Sequence, residues 1–160
     1  MNQAQGAIDA ARAAGAEQYA PEELAGAVAA LRQAQESVSQ RDNRTALSQA
    51  IDSREQAQNA ARQAAEARAL VQSQAERSLT ELRLLLERGD ERVAQAEARG
   101  LPRTTVMTAR GALASAVNAL QEASAAMSRG DYAAVRRRID AVQGDAAAAV
   151  AEVERLLDGA

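Results

Sequence analysis

Residues 43–98 are the part of the sequence that most constrains the fold. This stretch contains no proline and a single glycine, Gly89. Small or aliphatic residues recur in it at steps of three or four, with Arg68 as the one charged member: Ala57, Ala61, Ala64, Val71, Ala75, Leu79, Leu82, Leu86, Gly89, Val93 and Ala96. Such spacing is typical of the apolar stripe of a long α-helix. We predict a continuous helix over residues 43–99, on the order of 80 Å long at 1.5 Å per residue, with Gly89-Asp90 as its one plausible break.

The remaining helices are predicted from their stop and start signals. A short helix over residues 2–14 ends at Gly15, and a loop over residues 16–20 leads to a helix that begins at Pro21. The Gly100-Leu101-Pro102 segment separates the long helix from the next one, for which Thr104 or Thr105 is the predicted cap. Gly130 and Asp131 are predicted to end that helix and to cap the last one.

Composition indicates an all-α protein. Apolar residues make up 47% of the chain, and more than half of them are alanine, the residue with the highest helix propensity. The two halves of the sequence also show the same order of helix and turn signals, although the spacing of these signals differs by about four residues. We therefore predict two elongated antiparallel three-helix units, residues 1–72 and 73–160, that share the long helix as spectrin repeats do. The alternative is a single antiparallel four-helix bundle.

Several classes of chemistry lack the residues that they need. The chain has no cysteine and no histidine, so thiolate nucleophiles, imidazole catalysis and Cys or His metal ligands are excluded. The net charge of −3 and the interspersed signs do not favour nucleic-acid binding. We expect no enzymatic activity, no cofactor and no membrane span. The first ten residues lack the charged and apolar segments of a signal peptide. Two alternatives stay open: the protein is cytosolic, or a signal segment with a lipid anchor has been removed from its N-terminus.

A resemblance to a known family rests on the first 70 residues. The pattern consists of Ala-Gly-Ala at residues 14–16, Ala-Pro-Glu-Glu-Leu at residues 20–24 and Ala27 followed by Leu31, with a weaker echo in the Gly-Asp-Tyr turn at residues 130–132. In these features the chain resembles the alanine-rich helical domain of unknown function found in bacterial envelope lipoproteins, often before an OmpA-like domain. The resemblance implies a periplasmic or outer-membrane-associated scaffold or adaptor with no catalytic activity.

Four side chains are the candidates for contact with a protein partner. Tyr19 and Tyr132 lie where helices begin, either as lids on an alanine core or as exposed aromatic anchors. Leu84 and Leu85 belong to the Leu82–Leu86 cluster, which covers more of a helix surface than one bundle face requires. Part of this cluster either packs against a second helix or remains as an interface.

Other motifs favour structural interpretations. The Arg-Gly-Asp sequences at residues 88–90 and 129–131 are predicted to be turns or helix ends. Arg136–Arg138 spread around a helix and are expected to be solvated, and Arg68 is expected to extend its charged end to water from the edge of the apolar stripe. The acidic groups Glu22/Glu23 and Glu87/Asp90/Glu91 lie at predicted helix ends without a pocket around them.

Two functions follow as hypotheses. The first is a non-enzymatic structural or interaction module, a cell-envelope scaffold or adaptor that presents long helical faces to partner proteins. The alternative is an intracellular coiled-coil protein that acts by self-association as a homo-oligomer in the cytoplasm. Sedimentation of the purified protein distinguishes them.

Overall fold

The structure is a computed structural model that describes residues 1–159. Six α-helices follow one another without a strand in this range: α1 (Asn2–Ala13), α2 (Ala16–Tyr19), α3 (Pro21–Ser39), α4 (Asn43–Ala98), α5 (Arg103–Ser128) and α6 (Tyr132–Asp158). The predicted all-α class is confirmed. Helix α4 is unbroken at Gly89-Asp90, in agreement with the predicted continuous helix, and the turn or helix end also predicted at residues 88–90 is wrong.

The chain divides into two compact units, Met1–Leu70 and a second unit that begins at Val71. Unit 1 contains α1, α2, α3 and the first part of α4. Its core joins side chains of all four: Ala4, Ile8, Ala11, Ala16, Ala20, Leu24, Ala27, Leu31, Ala57, Ala60 and Ala64. Most of these residues are alanine, so stabilisation depends on close approach of the helix backbones more than on large apolar area.

Unit 2 contains the rest of α4 with α5 and α6, and its core has larger side chains. Leu82, Val135, Ile139, Val150 and Val153 are fully buried there. Gly89 lies in this core at a close approach of the three helices. A Cβ atom on Gly89 would lie 2.6 Å from Leu113 Cδ2 and 2.9 Å from Val150 Cγ2. The mid-helix glycine is therefore explained by packing between helices.

The helix ends follow the predicted chemistry with two exceptions. Gly15, Gly100 and Gly130 have the left-handed backbone conformation of helix C-terminal glycines, with φ of 89°, 71° and 74°. Asp131 caps α6 by accepting a hydrogen bond of 2.9 Å from the Ala134 N–H. The predicted loop at residues 16–20 instead contains the one-turn helix α2. Helix α5 starts directly after Pro102, so neither predicted threonine caps it.

Candidate interaction surfaces

The two tyrosines predicted as partner contacts both pack inside their own units. Tyr19 is partly buried against the core of unit 1, beside Gly15. Tyr132 is only 8% exposed in unit 2, and its hydroxyl donates a hydrogen bond of 3.1 Å to Gln72 Oε1. Tyr132 therefore packs as a lid on the core of unit 2 and offers little exposed surface.

The leucine cluster of α4 is divided between core and surface. Leu82 and Leu86 are buried in unit 2, and Leu85 is partly buried against the same core. Leu84 is 59% exposed. The leucines differ in burial because successive residues on a helix are rotated by about 100° and so face different surroundings. Of the two predicted leucines, only Leu84 offers a largely exposed aliphatic surface.

A further exposed aliphatic surface lies at the α3–α4 end of unit 1, and we call it the hairpin face. It consists of Val38, Leu47 and Ile51, which are 49%, 64% and 39% exposed. Val38 follows Leu31 and Ala34 at helical spacing, which predicts burial, but the buried residue at this end of α3 is Ser37, whose hydroxyl lies 2.8 Å from Gln49 Oε1. The hairpin face was missed because its sequence signal is weak. Leu47 and Ile51, four residues apart, precede the stripe that was used to predict the long helix.

The three residues of the hairpin face lie on the side of the hairpin against which α1 packs. Arg54 Nη1 donates to Gln3 Oε1 of α1 at 3.3 Å. Ile51 and Leu47 precede Arg54 by three and seven residues, so they share its face of α4. Val38 follows Leu31 by seven residues on α3, and Leu31 packs in the core that contains α1. The hairpin face therefore continues the surface on which α1 lies.

The charged motifs lie on the surface, and two of their arginines form ion pairs. Arg136 and Asp140 form an ion pair at 3.5 Å, and Arg138 lies 3.0 Å from Glu122. Arg137 and Arg68 are exposed. Because exposed pairs of this kind contribute about 0–1 kcal/mol each, they are weak determinants of stability.

Three groups have shifted pKa values, and each shift has a local cause. Hydrogen bonds from Thr45, its side chain first, lower the pKa of Asp42 at the start of α4. The hydrogen bond from Arg155 lowers the pKa of Glu152, and the same contact raises the pKa of Arg155. These shifts reflect helix capping and a surface ion pair, which are structural roles.

The predicted acidic groups lie on the surfaces of their helices. Glu87, Asp90 and Glu91 are exposed on α4, as is Glu22 at the start of α3, where Glu23 is partly exposed. Within residues 1–159 there is no group of three or more carboxylate, His or Cys side chains that could hold a metal ion. Over the same range, no helix has the length and apolar character needed to cross a membrane.

No family model, curated protein or solved structure matches this chain. The expectations that follow from the resemblance to envelope lipoproteins therefore stay predictions.

Proposed function

We propose that the protein is a non-enzymatic interaction module that offers helical surfaces to partner proteins, in the manner of a scaffold or adaptor of the cell envelope. The observation that carries the proposal is the hairpin face, where three aliphatic side chains remain 39–64% exposed within two turns of one another along the hairpin. Grouped aliphatic side chains on a helical surface are typical of a groove that receives another helix. The location in the periplasm or at the outer membrane rests on the family resemblance.

The cores and the surface grooves of the two units also support an interaction role. Their cores are built mainly from alanine, leucine and valine. The open grooves on unit 1 and unit 2 are lined by helix faces with mixed aliphatic and charged side chains, as in the groove beside Pro21, Leu24 and Val28. Surfaces of this type suit recognition of a protein better than chemistry on a small substrate.

Site-specific photocrosslinking in the native host tests this proposal. A photoreactive amino acid replaces Leu47 in one strain and Gln63, an exposed polar position on the same helix, in a control strain. We expect a defined protein adduct from position 47 and none from position 63. An adduct at twice the mass of the chain, with concentration-dependent sedimentation of the purified protein, would instead support the self-association hypothesis. Absence of adducts from positions 47, 51 and 84 would contradict an interaction role for these surfaces.

A further inference from the structure

The α3–α4 hairpin of unit 1 and the α5–α6 hairpin of unit 2 have the same kind of turn. Arg41 and Gly130 both adopt the left-handed conformation, with φ of 63° and 74°. Asp42 and Asp131 follow them, and each side chain accepts a hydrogen bond from the backbone N–H three residues later, at 3.1 Å and 2.9 Å. Pairing Arg41 with Gly130 therefore sets the register in which the two hairpins are compared.

The first helices of the two hairpins are nearly identical in this register. Residues 24–31 of α3 read Leu-Ala-Gly-Ala-Val-Ala-Ala-Leu, and residues 113–120 of α5 read Leu-Ala-Ser-Ala-Val-Asn-Ala-Leu. Leu24 and its equivalent Leu113 are both buried, as are Ala27 and its equivalent Ala116. Over this stretch α3 and α5 therefore bring nearly the same side chains to their cores.

The second helices of the two hairpins differ in the size of their inward-facing side chains. At four positions an alanine of α4 corresponds to a larger aliphatic residue of α6, and these pairs are Ala46 and Val135, Ala50 and Ile139, Ala61 and Val150, and Ala64 and Val153. All four larger residues have no exposed surface. At a fifth position Ser53 stands where unit 2 has Val142, and its buried hydroxyl donates a hydrogen bond of 2.7 Å to the Ala27 carbonyl oxygen.

These differences make the core of unit 1 the weaker of the two. Both units order every residue of their helices at a similar cost in backbone entropy. The compensating term scales with the apolar area that is buried, and alanine buries much less than valine, isoleucine or leucine. We therefore expect unit 1 to have a smaller free energy of unfolding than unit 2.

Helix α4 belongs to both units, but its middle part has no buried side chain. Ala64 is buried in the core of unit 1 and Ala75 in the core of unit 2, and every residue between them is exposed or partly exposed. All core residues of unit 1 precede residue 65, and all core residues of unit 2 follow residue 70. Loss of the first core therefore removes no member of the second. A helical segment without packed side chains is only marginally stable by itself, so α4 can end within this part.

We propose that unit 1 unfolds and refolds while unit 2 stays folded, with helix α4 ending between Ala64 and Ala75 in the partly unfolded state. Unit 1 is then a conformational switch within the chain, because the hairpin face exists only while unit 1 is folded. A ligand that binds folded unit 1 shifts the equilibrium toward the folded state. The inference follows from the two cores and does not rest on the proposed function.

Urea unfolding with one fluorescent probe in each unit provides the first test. The chain has two tyrosines and no tryptophan, and Tyr19 lies in unit 1 and Tyr132 in unit 2. The Tyr132→Phe variant reports on unit 1 through Tyr19, and the Tyr19→Phe variant reports on unit 2 through Tyr132. Each unit is thus measured with its own sequence unchanged. We expect the transition of Tyr19 at a lower urea concentration than that of Tyr132. Coincident transitions, or unfolding of unit 2 first, would overturn the inference.

Equivalent core substitutions in the two units test whether they unfold separately. Leu24→Ala and Leu113→Ala remove the same side chain from equivalent buried positions, which are 7% and 4% exposed. In the single-tyrosine variants, we expect Leu24→Ala to lower the urea midpoint reported by Tyr19 and to leave that of Tyr132 unchanged. Leu113→Ala should lower the midpoint of Tyr132. If Leu24→Ala unfolds unit 1 completely, an unchanged Tyr132 transition still supports the inference. A shift of the Tyr132 midpoint by Leu24→Ala would show one cooperative unit and would contradict it.

Amide hydrogen exchange of the unsubstituted chain locates the boundary within α4. Each additional buried methyl or methylene group changes an unfolding equilibrium by roughly fourfold, and α6 buries several more of them than the equivalent part of α4. We therefore expect exchange at residues 46–64 to be about a hundredfold faster than at residues 75–93, with the change between Ala64 and Ala75. Equal exchange rates along both parts of the helix would reject separate unfolding of unit 1.

Discussion

Replacement of Gly89 by alanine has two opposing effects on the stability of unit 2: a gain in helix propensity and a loss from overpacking. In an exposed helix interior this change stabilises by about 0.5–1 kcal/mol, because alanine loses less backbone entropy than glycine. At Gly89 the added methyl would lie 2.6 Å from Leu113 Cδ2 and 2.9 Å from Val150 Cγ2, well inside van der Waals contact. Leu113 and Val150 are 4% and 0% exposed, so neither side chain has free space into which it can move.

Overpacking dominates at this position. Valine in a helix has one strongly preferred rotamer, so Val150 cannot rotate away without strain. Overpacked cores typically lose about 1–3 kcal/mol, and subtraction of the helix-propensity gain of about 0.5–1 kcal/mol leaves a net loss of up to about 2.5 kcal/mol. A net loss of about 1 kcal/mol, near the middle of that range, corresponds for a unit of this size to a decrease in the melting temperature of unit 2 of about 4–8 °C.

Thermal and urea unfolding followed by circular dichroism at 222 nm measures this effect. The matched controls are Gly111→Ala in α5 and Gly144→Ala in α6, where a Cβ atom meets no other atom within 4 Å. Both controls should raise the free energy of unfolding of unit 2 by about 0.5–1 kcal/mol. If Gly89→Ala stabilised unit 2 as much as the controls do, the close approach of α4, α5 and α6 at this point would be refuted.

Three further predictions concern unit 1. Arg41→Gly should stabilise the protein by about 1 kcal/mol, because the left-handed φ of 63° at Arg41 is unfavourable for a residue with a side chain. The control Gln40→Gly, at the adjacent position with a negative φ, should destabilise the protein, and chemical denaturation measures both changes. Asp42 has a pKa below its ordinary value of 3.8, so its contribution to the free energy of unfolding is present above about pH 4 and is lost as the pH falls through its folded pKa. The difference in unfolding free energy between wild type and Asp42→Asn should therefore shrink in acid, and a constant difference would contradict the capping role. Ala57→Leu, at a position with no exposed surface, should cost about 1–3 kcal/mol by overpacking, whereas the exposed control Ala65→Leu should change the melting temperature little.

The helices could be predicted closely from local signals. Proline and glycine positions mark the start of α3 and the ends of α4 and α5, and steps of three or four residues identify most buried positions. Local signals failed at two places. Residues 16–19 form one helical turn and not a loop, and Val38 is exposed while Ser37 is buried. In the second case hydropathy gave the wrong answer because Ser37 forms a hydrogen bond across the hairpin.

The candidate surfaces were less predictable than the fold. Exposure of Leu84 and burial of Tyr132 depend on which neighbouring helix covers each face, and sequence periodicity gives only the direction in which a side chain points. The hairpin face could not be identified from the stripe of α4 alone. It becomes apparent only from the exposure of Val38, Leu47 and Ile51 in the folded unit.

The sequence by itself determined that this protein is helical, where most of its helices begin and end, and which chemistry its side chains cannot perform. These properties depend on residue type and on near neighbours along the chain, through propensity, capping and periodicity. The tertiary structure decided that three helices approach closely at Gly89 and that Val38, Leu47 and Ile51 remain exposed at the turn end of the α3–α4 hairpin. Both depend on packing between helices, because only the neighbouring helices decide whether a methyl group fits at a position and which side chains are covered.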